Sequence, residues 1–401
     1  MAKFSEIGIN SYYYKLDYCG GKLRSTPEDF YVEEIFDNII GKDDGNVLVL
    51  KLQIKNWEHN RLIRYIARSL GVSPKQVFFA GTKDKRALKV QYLSIPGAKY
   101  KDFHLEDVSV LEYFYLDKPL TMGSHSGNFF RINVKNTISE IFSKNCKAVS
   151  AGNVFPNFYG PQRFGSMRPV THLVGRAIVR NDFEEATRIF IGYPGEDRFR
   201  EQRAKYYNNP DPSSNYESFP DALDLEKKVM KHLIENYGDF AGAIKVLPAN
   251  LVEMFIHAYQ GYLFNLILSK RLEYSKNIET GDILFYNGRM IKATEINIDK
   301  IRRNFISEKI SPTGLVIGYE SEFAGGIMGE IEREVISNEG IQGFEFKLPF
   351  GLKSKGERRP IFTFPLNMKC FENSLEFTLK PGAYGTSLLR EILRSDEMSD
   401  Y

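Results

Sequence analysis

Between Leu48 and Tyr92 the spacing of apolar residues changes period twice. Leu48, Leu50, Leu52 and Ile54 alternate with Val49, Lys51 and Gln53, the two-residue period of a half-buried strand. Over Asn56 to Gly71 the period becomes helical: Leu62, Ile66 and Leu70 recur at i, i+4 with Ile63 and Ala67 beside them. Asn56 is placed to cap the start and Gly71 to end the helix in a left-handed turn. Val77-Phe78-Phe79 and then Leu88, Val90 and Tyr92 return to strand character, so the residues between them form a tight connection. Strand, helix, strand, loop, strand in 45 residues makes this region mostly β with one clear helix.

That loop, Ala80-Gly81-Thr82-Lys83-Asp84-Lys85-Arg86-Ala87, carries one carboxylate among three cations. From Lys51 to Tyr92 there are ten Lys or Arg and two acids, Glu58 and Asp84. Nearby positive charge favours the ionised carboxylate, the form a nucleophile or base needs. The same acid could equally neutralise a solvated cationic face, and the residues alone leave both roles open. Arg61, Arg64 and Arg68 share one face of the predicted helix; they serve either solubility or contact with phosphates.

The whole chain carries a net charge of only +3, so any case for a nucleic-acid partner rests on this local cluster. Cys19, Cys146 and Cys370 are far apart, with no CxxC pair, which argues against a disulfide framework and a cysteine zinc site. No two of the six histidines fall at HxxxH spacing, so neither a metal nor another cofactor is expected. No run approaches the ~18 apolar residues of a membrane helix and the N-terminus lacks a signal core, so a cytoplasmic protein is expected. The length allows two or three domains.

Further strands are predicted at Val108 to Leu116, Phe129 to Val134 and Ser374 to Leu379. Helical patterns appear at Val170 to Arg180, Asp182 to Ile191 and Asp221 to Asn236, with Tyr193 to Pro220 reading as a long loop. Leu251 to Leu272 is apolar nearly all round and predicts a buried central helix. Asn287-Gly288 between two apolar runs is a type I′ hairpin signal, and Lys353 to Arg359 reads as a basic turn. The stretch Val154 to Gly165 interleaves aromatics with Asn157, Gln162 and Arg163, residues able to stack on a flat ring and bond its edge.

Five segments, in this order, resemble the TruD family of tRNA pseudouridine synthases. They are Pro27-Glu28-Asp29-Phe30-x-Val32-x-Glu34, Phe79-Ala80-Gly81-Thr82-Lys83-Asp84-Lys85, Asn157-Phe158-Tyr159-Gly160-x-Gln162-Arg163-Phe164-Gly165, Tyr262-Leu263-Phe264-Asn265 and Pro381-Gly382-Ala383-Tyr384-Gly385-Thr386-Ser387. The resemblance implies an α/β (α+β) fold: a catalytic pseudouridine synthase domain with a mixed, largely antiparallel sheet at residues 1–170 and 358–401. It implies an α/β insertion domain at residues 171–357.

By the same resemblance Asp84 is the catalytic aspartate. Arg24 stands where the family often has Lys, as the cation paired with it. Asn157 would hold the loop or the base edge, Tyr159 would stack on the target base and Tyr384 would wall the pocket. Lys83, Lys85, Arg86, Gln162 and Arg163 are expected around the substrate, and Arg61, Arg64 and Arg68 on the RNA backbone. The implied partner is tRNA, usually at uridine 13, with no membrane and no obligate protein partner. The rival reading is an RNA-binding or RNA-remodelling protein without chemistry, which would have no use for a carboxylate amid its phosphate contacts.

Overall fold

The protein is described from a computed structural model. The structure describes every residue except 1, 43, 82, 84, 85, 342, 343, 349 and 350, and of residue 344 only the backbone. Asp84, Lys85 and Thr82, expected at the centre of the chemistry, therefore lie outside the described residues.

The first part of the chain gives strands β1 (Phe30–Ile35) and β2 (Val47–Lys55), helix α1 (His59–Leu70), and strands β3 (Phe78–Phe79), β4 (Leu88–Pro96), β5 (Val108–Leu116) and β6 (Gly127–Asn133). Helix α2 (Ser139–Gly152) and the short β7 (Phe155–Pro156) follow. The closing part supplies β13 (Leu366–Cys370), β14 (Ser374–Leu379) and helix α12 (Gly385–Leu393). All of these strands except β7 form one sheet in the order β13-β14-β6-β1-β4-β2-β5, with β3 beside β4. The β1/β4 pair is parallel and the others are antiparallel, so the sheet is mixed and largely antiparallel. The first and last segments of the chain are partners in it.

Helix α1 lays Leu62, Ile66 and Leu70 on Leu48, Leu50, Leu52, Leu93 and Ile95, as the periods predict. Removing one of these buried side chains, as in Ile66→Ala, would cost about 2–5 kcal/mol. Its cap differs from expectation. Glu58, not Asn56, is the N-cap, because its carboxylate accepts from both Asn60 N and Arg61 N, at 2.9 and 2.7 Å; a charged acceptor suits the positive helix start. Asn56 instead takes a left-handed turn at φ 56°, while Gly71 ends the helix at φ 71° as anticipated.

The intervening chain is helical around a second, four-stranded sheet. Helices α3 (Thr171–Val179), α4 (Phe183–Gly192), α5 (Arg200–Asn208), α6 (Pro212–Asn215), α7 (Asp224–Glu235) and α8 (Phe240–Lys245) lead into α9 (Ala249–Tyr274). Then come β8 (Ile283–Tyr286), β9 (Arg289–Lys292), α10 (Ile298–Asn304), β10 (Ser311–Val316), α11 (Gly326–Asn338), β11 (Glu357–Pro360) and β12 (Phe362–Thr363). The sheet order is β11-β10-β8-β9, and β12 pairs with β7. Helix α9 is the buried centre, and α3 crosses it so closely that a Cβ on Gly175 would lie 2.0 Å from Phe255 O. The β8–β9 turn has Asn287 and Gly288 at φ 47° and 76°, the type I′ geometry expected of Asn-Gly.

Three expectations fail here. Tyr193 to Pro220 is not a loop: α5 forms there although it has no apolar stripe, because its buried Arg203 donates to Glu226 Oε1 at 2.7 Å and to Ile191 O at 3.0 Å. Glu357 to Arg359, read as the end of a basic turn, lie in strand β11, which pairs with β10. Its Arg358 is not a surface cation, since it donates to the buried Glu332 carboxylate at 2.6 Å. Cys146 and Cys370, dismissed for their separation in sequence, are bonded to each other and tie α2 to β13 across 224 residues. Distance along the chain carried no information about distance in space.

Candidate active site

Strand β4 has two neighbours along one edge. β1 pairs with its first half, at Leu88 to Val90, and β3 with its second, at Leu93 and Ser94. In the gap between them the ladder is completed by side chains. Tyr92 N donates to Oε2 of Glu34 at 2.9 Å, and Gln91 Nε2 donates to Gly81 O at 2.8 Å. The loop that carries the cationic motif leaves the sheet at this gap. Pairing of Val32 with Phe130 and Glu34 with Asn128 puts these four on one face together with Phe30.

Over that face lies a cavity of about 580 Å³. Phe30, Val32 and Phe130 form its floor, Gly81, Lys83 and His125 one side, and Gln162, Arg163 and the turn Pro381 to Thr386 the other. Arg24 enters it from the segment before the first motif. The sequence motifs at Arg24, Lys83, Gln162, Arg163 and Tyr384 thus converge on one space, although they span most of the chain.

Arg24 is held firmly. Its backbone is left-handed at φ 54°, which costs a non-glycine residue about 1–2 kcal/mol. The guanidinium lies 3.9 Å from the centre of the Phe30 ring and donates to Tyr401 O at 2.6 Å. Arg86, itself exposed, donates to Arg24 O at 3.2 Å, so it braces the cation. Lys83 donates to Oε1 of Glu34 at 2.8 Å. Burial pushes the Glu34 carboxyl above the ordinary glutamate range, countered by the Lys83 ammonium and the Tyr92 N–H. His125 is driven down to about 4 by burial, with the Lys83 charge adding to it, so it is neutral near pH 7.

Tyr159 and Asn157 stand behind the wall rather than on it. Tyr159 is only 6% exposed, its ring edge-on to Phe264 and Tyr384 at 5.5 and 6.0 Å, with the Arg359 guanidinium 4.2 Å from its centre. Its backbone N–H and C=O are both bound by Asn265 of α9, a residue of the fourth motif. Asn157 is 6% exposed and uses its amide on Pro360 O and Arg359. Of the two tyrosines, Tyr384 is the one that faces the cavity. Arg61, Arg64 and Arg68 are exposed along α1, and Arg61 stacks on Trp57.

Sequence reasoning gave no role to Glu34, His125 or Arg359. Glu34 was signalled by parity: an acid in step with Phe30 and Val32 on a buried face needs a cation. His125 and Arg359 had no comparable signal, because their neighbours come from other parts of the chain. No group of three or more His, Cys, Asp or Glu able to hold a metal occurs among the described residues, and no helix among them is long and apolar enough to cross a membrane.

Comparison with known proteins shows the family. The family described as tRNA pseudouridine synthase D (TruD) matches residues 6–392. Proteins named probable tRNA pseudouridine synthase D from Methanococcoides burtonii and Thermoplasma volcanium are 36% and 37% identical to it. The alignments cover 98% and 94% of this chain and 97% and 95% of the relatives. The crystal structure of the putative tRNA pseudouridine synthase D from Methanosarcina mazei superposes with a TM-score of 0.79 at 34% identity, covering 98% of both chains. This chain belongs to the TruD family of tRNA pseudouridine synthases, and is an isomerase with that family's mixed α/β fold.

Proposed function

We propose that the cavity receives a uridine turned out of folded tRNA, most specifically uridine 13, and that Asp84 starts its conversion to pseudouridine. In the reaction the N1–C1′ bond breaks, the uracil turns in place and a C5–C1′ bond forms. C5 loses a proton and N1 gains one, so nothing is added or lost overall. Glycoside hydrolysis needs two carboxyl groups and an admitted water. Here the leaving uracil anion is recaptured, so one ionised carboxylate in a closed pocket is sufficient. Attack at C1′, addition to the ring and removal of the 2′ proton each begin from that carboxylate.

The observation that carries this reading is that Gly81 and Lys83, on either side of Thr82 and just before Asp84, line the same cavity as Arg24, Arg163 and Tyr384. Arg24 supplies positive charge that favours the ionised acid. Tyr384 offers a ring face, and turning a base out, which costs a few kcal/mol, is offset by such stacking and by edge hydrogen bonds from groups like Gln162 and Arg163. Arg61, Arg64 and Arg68, with Lys85, add salt-dependent affinity for phosphates without selecting the site.

We read residues 1–170 and 358–401 as the catalytic domain and 171–357 as the insertion, acting on tRNA in the cytoplasm. The pairing of β14 with β6, with β13 beyond it on β14, supports joining the first and last segments. The test is to map pseudouridine in tRNA incubated with wild-type protein and with Asp84→Asn. The variant should form none while binding tRNA within a few-fold of wild type. Near-normal turnover by Asp84→Asn would remove Asp84 from its role, and modification only at another position would remove uridine 13.

A further inference from the structure

Strand β11 belongs to the second sheet, where Arg359 pairs with Gly314 of β10. Its guanidinium nevertheless leaves that sheet for the cavity wall. One nitrogen, Nη2, donates to Asn157 Oδ1 and to Gly382 O, both at 2.8 Å, and reaches Asn157 O at 3.3 Å, while Nε lies 3.4 Å from that same oxygen. The flat face covers the Tyr159 ring at 4.2 Å. Asn157 answers from its own side, since its Nδ2 donates to Pro360 O at 2.9 Å and its backbone N–H to Ile361 O at 2.8 Å. Gly382 and Tyr384, two residues apart, both line the cavity.

We propose that Arg359 is a positioning residue for the isomerisation: the tie by which the second sheet fixes the Pro381–Tyr384 wall at its working distance from the Asn157–Tyr159 segment. This rests on the reading of the cavity as the pocket for the base. Arg359 does not line the cavity and acts through Tyr384. Its chemistry suits the task. The planar fork bonds two loops in its own plane while its face packs on a ring, which a lysine ammonium cannot reproduce. Tyr384 is the tyrosine that lines the cavity, so slack in the Gly382 turn becomes misplacement of the stacked base. Misplacement on the ångström scale lowers the rate of a bound complex far more than it lowers affinity.

The experiment measures three quantities for wild type, Arg359→Lys and Arg359→Ala: the melting temperature, the dissociation constant for unmodified tRNA, and the single-turnover rate of pseudouridine formation at saturating tRNA. Arg359→Lys should fold and bind tRNA within about threefold, yet form pseudouridine roughly ten- to a hundredfold more slowly. Arg359→Ala should be slower still, and if it does not fold, Arg359→Lys decides. A lowered melting temperature with an unchanged saturated rate would mean a purely structural tie and overturn the proposal. A loss confined to affinity would mean direct contact with RNA and would overturn it equally. Wild type that forms no pseudouridine would remove the reading of the cavity itself. An active wild type with an equally active Arg359→Lys would remove only the role of Arg359.

Discussion

Lys83 and Glu34 meet at 2.8 Å with side chains only 8% and 0% exposed, so the cationic motif is anchored to β1 by a buried ion pair. Removing one partner of such a pair strands a charge in the interior, which costs about 3–5 kcal/mol. Glu34→Ala should therefore lower the unfolding free energy by that order in urea titration, and Glu34→Gln by less. Replacing both partners, as Glu34→Leu with Lys83→Met, should recover most of the stability. A cost below about 1 kcal/mol for Glu34→Ala, the value of an exposed pair, would refute the anchoring.

The two tyrosines of the wall should separate by what they lose. Tyr159 is buried among Phe264, Tyr384 and Arg359, so Tyr159→Ala should cost about 3–5 kcal/mol of stability, as other large aromatic truncations do. Tyr384 is half-buried and faces the cavity, so Tyr384→Ala should fold with a modest loss. Its saturated rate should fall roughly 5- to 150-fold, the equivalent of the 1–3 kcal/mol of one stacked base. Tyr384→Phe and Tyr159→Phe should both be mild. The reverse pattern, a stable Tyr159→Ala with the larger rate defect, would make Tyr159 the stacking ring.

Arg61, Arg64 and Arg68 are exposed and in line on α1. If each neutralises one phosphate, changing all three to Ala should reduce the slope of log affinity against log salt by about 2–3, at 0.7–0.9 per contact. Filter binding of tRNA between 50 and 200 mM salt, as an order-of-magnitude range, measures this. The saturated rate should be unchanged. An unaltered slope would leave the stripe a solubility feature.

What was legible in the sequence followed local rules. The alternation of Leu48 to Ile54, the i, i+4 stripe of α1 and the Asn287-Gly288 turn each report on neighbours within a few residues, and each formed as its pattern implies. The helix α5 was missed because it depends on Arg203 reaching Glu226, an interaction 23 residues away that no periodicity encodes. The same holds for the site. Arg24, Lys83 and Tyr384 could be named from their motifs, but that Arg359 would cover Tyr159, or Tyr401 O would hold Arg24, depends on contacts between segments far apart in the chain.

Three histidines should govern mild-acid stability. His59, His125 and His172 are all held down to about 4 by burial, from an ordinary value of 6.5. Below pH 6.5 the unfolded chain protonates them while the fold does not until near pH 4. The unfolded state therefore binds more protons in that window, and stability falls as pH drops through it. His172 gives the cleanest case, since it is 2% exposed and stacked 4.9 Å from Tyr262. His172→Gln removes its titration, so whatever the variant loses at pH 7.5, the gap between its melting temperature and that of wild type should narrow steadily from pH 6.5 to 4.5. A gap that stays constant with pH would mean that His172 is already protonated in the fold or titrates alike in both states.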